Sequence, residues 1–149
     1  ELFSWVEGRS ERPDPGSVPV FRPMMLAHPV EDADWPTLDP NEFAAEWKWD
    51  GIRVQVAAKA GDVRVYSRTG DDISPALPEI RSAFSHHDVV ADGELLVVRQ
   101  GTVAPFNDLQ QRLNRKSVTG KMLREHPAHL RLYDLLFTRG EDIRMLSFD

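Results

Sequence analysis

Chemistry in this 149-residue chain concentrates in one stretch, Glu46-Trp47-Lys48-Trp49-Asp50-Gly51-Ile52-Arg53. On an extended backbone successive side chains point to opposite faces. Glu46, Lys48 and Asp50 then share one face, and Trp47 and Trp49 share the other as an apolar anchor. Gly51 allows a bend or a close backbone approach. Two readings are open. The spacing alone favours a salt-bridged strand face; the other reading is an amine flanked by carboxylates and presented to a ligand. The chain has no cysteine, which excludes thiolate nucleophiles and zinc–thiolate sites. His86 and His87, and the pair His126 and His129, lack metal-ligand spacing with carboxylates and read as surface residues.

Three further strings follow: Ser67-Arg68-Thr69-Gly70, Asp92-Gly93-Glu94-Leu95 and Leu132-Tyr133-Asp134-Leu135-Leu136. Singly, each has an ordinary reading. Arg68 is a turn residue, Glu94 a solvated strand end, and Tyr133 a core aromatic with a bonded hydroxyl. In order, the four strings resemble the motifs of the nucleotidyltransferase superfamily, whose Lys-x-Asp-Gly-x-Arg is matched by Lys48, Asp50, Gly51 and Arg53. Within it, Phe21-Arg22-Pro23-Met24-Met25-Leu26-Ala27 and Phe106-Asn107-Asp108-Leu109-Gln110-Gln111-Arg112-Leu113 resemble bacterial and archaeal-type ATP-dependent DNA ligases. That family commonly carries Phe-x-x-Leu-Gln-x-Arg in the second place, whereas NAD-dependent ligases usually have alanine where Arg53 stands.

The resemblance implies a role for each matched position. Lys48 would attack the α-phosphorus of ATP, release pyrophosphate and carry AMP as a phosphoramidate. The AMP would then pass to a 5′-phosphate at a DNA nick before sealing. A free lysine, with a pKa near ~10.4, is mostly protonated at neutral pH. Attack therefore calls for nearby positive charge, which Arg53 and Mg²⁺ or Mn²⁺ would provide. Glu46 would oppose this unless engaged elsewhere, and the resemblance assigns it to the adenine amino group. It also assigns Arg68 to the ribose, Glu94 to the ribose or the metal, and Tyr133 to stacking on adenine. Asp50 and Gly51 would support the lysine.

These residues need elements to hold them. Residues 1–20 read as an extended lead-in or linker, and Phe21 to Leu26 as a first strand or an anchoring segment. Ile52, Val54 and Val56 alternate with Arg53, Gln55 and Ala57; a turn at Ala60-Gly61-Asp62 follows, then a second alternating run from Val63. Ser74-Pro75 reads as a cap and first-turn proline for a short helix with Leu77, Ile80 and Phe84. Residues 88–99 form a mostly apolar strand bearing two carboxylates. Helices are expected around Phe106, Leu109 and Leu113, capped by Asn107, and over 119–125. Residues 130–137 read as a further buried strand. Without a βαβ rhythm this is an α+β protein with a largely antiparallel sheet. The resemblance narrows it to an ATP-grasp-like nucleotidyltransferase fold, antiparallel sheets flanked by helices, with residues 21–149 as the amino-terminal part of the adenylation domain.

A hydrophobic content of 41% with 28% charged residues suits one globular domain. The net charge of −6 argues against a nucleic-acid binder that uses its whole surface. Arg112, Arg115, Lys116, Lys121 and Arg124 lie close in sequence, either as a solvated helix face or as a local phosphate-contacting patch. No apolar run approaches the ~20 residues of a membrane span, so no membrane partner is expected. The resemblance implies a cytoplasmic protein, nucleoid-associated if bacterial, with nicked double-stranded DNA as substrate. Its other partner would be the rest of the ligase: the remainder of the adenylation domain and an oligonucleotide-binding domain. The later motifs Glu-Gly-Val-x-x-Lys and Lys-x-Lys do not occur before Asp149. Residues 1–149 alone are therefore expected to adenylylate poorly and not to seal nicks. The alternatives are an RNA ligase or mRNA-capping guanylyltransferase with the same lysine chemistry, or a non-catalytic nucleic-acid-binding module.

Overall fold

A computed structural model describes residues 6–9, 19–24, 27–113, 115 and 117–147. The alternating run forms β1 (Ile52–Lys59), which turns through Ala60-Gly61 into β2 (Asp62–Ser67). Both loop residues have positive φ, 51° and 86°, the two-residue geometry whose twist matches that of the flanking strands. The same X-Gly device, at Gln100-Gly101 and Arg139-Gly140, joins β3 (Val89–Arg99) to β4 (Thr102–Val103) and β5 (Ala128–Thr138) to β6 (Glu141–Asp142). The described residues build one antiparallel sheet in the order β2-β1-β3-β5-β6, with β4 paired to β3.

Alternation decides which face is covered. Val54, Val56 and Ala58 of β1, Val63 and Val65 of β2, and Leu95 and Val97 of β3 are buried on one side. They pack against Ala76 of a 3-10 turn (Ser74–Ala76), Leu77, Ile80 of helix α1 (Pro78–Phe84) and Leu109 of α2 (Phe106–Gln110). The opposite face has only a small apolar cluster, Ala57, Val90 and Leu136 with Tyr66 and Phe137 against them, and is otherwise polar. No helix among the described residues is long and apolar enough to cross a membrane.

The expected helices form, with different ends. Ser74 is not a cap: its Oγ accepts from the Val65 amide at 2.8 Å and donates to Asp72, tying the turn to β2. Asn107 lies inside α2, and Pro105 precedes the helix. The third helix, α3 (Gly120–Glu125), is capped by Thr119, its Oγ1 accepting from the Met122 amide at 3.3 Å. Residues 19–24 form an anchoring segment rather than a strand. The Phe21 ring meets Tyr66 edge-on at 5.8 Å, and Tyr66 Oη donates to the Pro19 carbonyl at 2.8 Å. Most of the expected lead-in over 1–20, and Met25 and Leu26, lie outside the described residues. The expectation of a buried strand at 130–137 is corrected. Leu136 is the buried residue of β5, while Leu132 and Leu135 are each 47% exposed. The helices cover β1 to β3 and the start of β5, where Ala128 and Leu130 pack against the core, and beyond β5 the described sheet continues only as two-residue β6.

The basic cluster is not one patch either. Arg112 is fully buried. Its guanidinium grips both oxygens of Glu79, at 2.7 and 3.0 Å, and donates to the carbonyls of Ala76 and His126. Glu79 Oε1 also accepts from the Ala128 amide at 3.0 Å. One arginine thus joins the helix layer to the start of β5. Lys121 is exposed and lies 3.7 Å from Glu125; Lys116 lies outside the described residues. Burial pushes the Glu79 carboxyl up, but the bonds from Arg112 and the amides outweigh it and hold the group below the usual carboxylate range. A depressed pKa stabilises the fold above the unfolded-state pKa, and that stability fades as pH falls through the folded value. Arg112→Met is expected to cost about 1–3 kcal/mol near neutral pH, because it leaves the part-buried Glu79 without its charged partner. The penalty should shrink on acidification, when Glu79 is protonated in both proteins. Thermal unfolding of both across acidic pH checks this, and a pH-independent difference would contradict it.

Candidate active site

The uncovered face of the sheet is built around a carboxylate. Gln55 of β1 stands opposite Asp92 of β3, and Asp92 opposite Asp134 of β5. Asp92 and Gln55 have no exposure. A carboxylate removed from water must be paired, and Asp92 is: Arg53 Nη2 donates to Oδ2 at 3.0 Å and Gln55 Nε2 to Oδ1 at 2.8 Å. Arg53 also lies 4.0 Å from Asp134.

Next to this the β3–β5 register slips. Asp92 pairs with Asp134 but Gly93 pairs with Leu132, leaving Tyr133 as the extra residue of a bulge. Bulges re-aim side chains. Arg53 accordingly meets both members of the dipeptide, its guanidinium lying 5.6 Å from the Tyr133 ring centre as well as near Asp134. Burial, chiefly, pushes the Tyr133 hydroxyl up to about 12.

Lys48 reaches the site through a backbone bend at Asp50-Gly51 that leads into β1. A Cβ on Gly51 would sit 2.5 Å from the Leu95 carbonyl oxygen and 2.6 Å from Leu96 Cδ2. Only glycine allows this approach, and it brings the lysine segment against β3 beside Glu94. Burial pushes the Glu94 carboxyl up; a bond from the Gly51 amide and the charges of Lys48 and Arg53 act against it, and Asp50 adds to it. Loss of hydration, then the Asp134 carboxylate, push Glu46 up, with Arg53 opposing. Glu46 itself is exposed and lies within electrostatic reach of Asp134 and Arg53.

The structure therefore brings together Lys48, Asp50, Gly51, Arg53, Glu94, Glu46 and Tyr133. Arg68 makes no ion pair or side-chain hydrogen bond with any of these: it lies exposed on the turn after β2. The paired-tryptophan anchor is also corrected. Trp49 is half-buried with the Arg131 guanidinium 4.3 Å above its ring, but Trp47 is 84% exposed. Residues 43–49 pair with no strand, so nothing enforces strict alternation there. His126 is not a surface residue: its ring is mostly enclosed, with Nδ1 3.5 Å from Asp108 Oδ1. Among the described residues no three His, Asp or Glu side chains gather as a metal cage. A hollow of about 480 Å³ lined by Lys59, His86, His87 and Asp88 lies at the hairpin end of β1 and holds none of the predicted residues. Sequence reasoning gave no role to Gln55, Asp92 or Asp134. The available signal was a glutamine within an otherwise apolar strand, two residues from Arg53 and on the same face.

An antiparallel sheet with helices on one face, and a lysine, an arginine and carboxylates gathered on the other, is consistent with a nucleotidyltransferase domain. The sequence pattern of the ATP dependent DNA ligase domain matches residues 24–149, and the chain belongs to that family. It is 40% identical over 126 residues to a probable DNA ligase of Koribacter versatilis, an alignment covering 82% of this chain and 22% of that protein. It is 34% identical over 123 residues to a DNA ligase of Archaeoglobus fulgidus, covering 80% and 22%. The ligase domain of M. tuberculosis LigD, a crystal structure, superposes with a TM-score of 0.50 at 32% identity, over 65% of this chain and 30% of that one. The chain thus spans about a fifth of the length of these curated relatives.

Two glycines allow close backbone contacts, Gly51 at the site and Gly93 on the helix-covered side behind it. A Cβ on Gly93 would lie 2.6 Å from the Arg131 carbonyl oxygen, as tight as the approach at Gly51. Gly51→Ala and Gly93→Ala should each destabilise by roughly 1–3 kcal/mol through overpacking against backbone. Denaturant unfolding reads the effect; unchanged midpoints would mean that the neighbouring strands yield freely.

Proposed function

We propose that residues 21–149 are the amino-terminal part of the adenylation domain of an ATP-dependent DNA ligase, with an ATP-grasp-like arrangement, and that Lys48 is its nucleophile. The observation that carries the reading is the convergence of Lys48 and Glu94 beside the Arg53–Asp92 pair on the open face of the sheet. Lys48 Nζ forms a bond to the α-phosphorus of ATP while the bond to the pyrophosphate oxygen breaks, and pyrophosphate leaves. AMP then passes to the 5′-phosphate at a nick in double-stranded DNA, and the 3′-hydroxyl displaces it. Tyr133 offers a half-buried ring to the adenine, and Glu46 a carboxylate acceptor to its amino group. Arg53, held by Asp92, supplies fixed positive charge of the kind that stabilises phosphoryl oxygens. Arg68 takes the ribose from its exposed turn, and Glu94 the ribose or the metal.

Mg²⁺ or Mn²⁺ would neutralise phosphate charge at this site. Mg²⁺ is typically held by one or two carboxylates together with substrate phosphates and water, and Glu94, half-buried and facing Lys48, fits as one such ligand. The partners are nicked DNA and the rest of the ligase, and the setting is the cytoplasm, where that DNA is.

Lys48→Ala in the full-length protein should abolish transfer of label from α-labelled ATP to protein. Lys48→Arg should do the same, since a guanidinium stays protonated and is no nucleophile. Label at the wild-type level on either variant would remove Lys48 from this role, and labelling by GTP in preference to ATP would favour a capping enzyme.

A carboxylate accepts from the adenine amino group and cannot accept from the guanine carbonyl. Glu46→Ala, which removes the acceptor, and Glu46→Gln, whose amide can turn and donate to the guanine carbonyl, should therefore each weaken selection of ATP over GTP by about 1–3 kcal/mol, the range for one hydrogen bond. Competition between the two nucleotides for labelling is the measurement; unchanged discrimination would show that another residue reads the base.

A further inference from the structure

We propose that Gln55 is a positioning residue for Arg53, acting through Asp92 and braced by the chain segment ahead of the nucleotide site. This rests on the ligase reading above and adds a residue to it. Gln55 is fully buried, and its amide is used at both ends. Nε2 donates to Asp92 Oδ1 at 2.8 Å and to the Arg22 carbonyl at 2.9 Å, while Oε1 accepts from the Arg22 amide at 2.6 Å. One side chain thus meets the main chain of residue 22 as a neighbouring strand would, with a donor and an acceptor side by side. Arg22 is held from other directions too, its guanidinium 4.6 Å from the Phe137 ring centre and 3.5 Å from Asp142. It lies just before the family-matched region, which begins at residue 24.

Asp92 has two carboxylate oxygens and two side-chain donors, Gln55 on one oxygen and Arg53 on the other. Rotation of the carboxylate would break one bond or misdirect the other, so the amide of Gln55 sets the plane in which Asp92 receives Arg53. Without that donor the buried carboxylate can turn toward Arg53 alone, and the guanidinium shifts relative to Lys48 and Tyr133. Gln55 touches neither Lys48 nor Tyr133 and acts only through this pair.

The test uses the full-length protein, α-labelled ATP and Mg²⁺. Gln55→Leu keeps most of the volume and removes both donors. It should slow lysyl-AMP formation at saturating ATP on the order of tenfold to a hundredfold, as small misplacements of reacting groups do, with KM for ATP little changed. Tyr66→Phe removes the bond to the Pro19 carbonyl from the same segment but leaves Gln55 intact, and should lower Tm without slowing the reaction. Gln55→Glu distinguishes positioning from loss of fold. Its carboxyl would face Asp92 from β3, Asp134 from β5 and Arg53 on β1, with Tyr66 on β2 and Arg22 beyond. Burial beside Asp92 raises such a group's pKa. Protonated, it can again donate to Asp92; ionised, it repels it. Its rate relative to wild type should therefore recover as pH is lowered from about 8 to about 6, at temperatures where both proteins remain folded. A wild-type rate in Gln55→Leu overturns the proposal, as does a loss confined to KM, an equal loss in Tyr66→Phe, or no relative recovery in Gln55→Glu. If Gln55→Leu does not fold, the Gln55→Glu profile decides alone. Absence of label on the wild-type protein would overturn the ligase reading itself, and this proposal with it.

Discussion

A carboxylate has been placed where no water can reach it, between the two inner strands and the one beyond them, and much of the open face follows from satisfying it. Asp92 takes a guanidinium on one oxygen and an amide on the other. Those two donors are alternate residues of β1, Arg53 and Gln55, so the strand that presents them must run beside β3 in one register. A slip by one residue would turn both donors to the helix side and put Val54 against the charge. The cost of an unpaired buried carboxylate is therefore a reason for the register as well as for the site. In the opposite direction, the valines of the same strand are driven under the helices, so polar and apolar demands agree on one alignment.

What the amino-acid sequence made readable were the features with short-range causes. The β1–β2 hairpin followed from alternation and an X-Gly turn, and a helix was legible over 119–125. The lysine segment stood out by residue type and by motif resemblance, and it does lie beside Glu94. What could not be read had long-range causes. The burial of Arg112 depends on Glu79, 33 residues away, and on two carbonyls that converge only in the fold. The exposure of Trp47 follows from the absence of a paired strand over 43–49, whereas alternation had been assumed there. The open outer part of β5 could not be foreseen either, because an apolar run reads the same whether or not a helix lies over it.

The two faces of the sheet thus carry different duties. Helices, a buried arginine clamp and interlocked aliphatic residues cover one face, while the other carries the buried Asp92 and Gln55 beside the exposed Lys48 and the partly exposed Glu94 and Tyr133. The close backbone approach at Gly51 brings the lysine segment against β3, while that at Gly93 brings β5 against β3 on the helix-covered side.

The bulge in β5 has a consequence for how this site can vary. Strict two-residue alternation would offer Arg53 only one of Tyr133 and Asp134, and the other would turn to the helix side. Both reach it because one surplus residue is accommodated between Leu132 and Asp134 without a partner on β3. The facing of the aromatic is thus a matter of counting along the chain, independent of which ring stands there. Exchange of side chains at this point is compatible with the geometry, whereas loss or gain of a single residue in β5 would swap the faces of everything on one side of it. Chain length between Leu132 and Leu135 is in that sense a more stringent inheritance than composition.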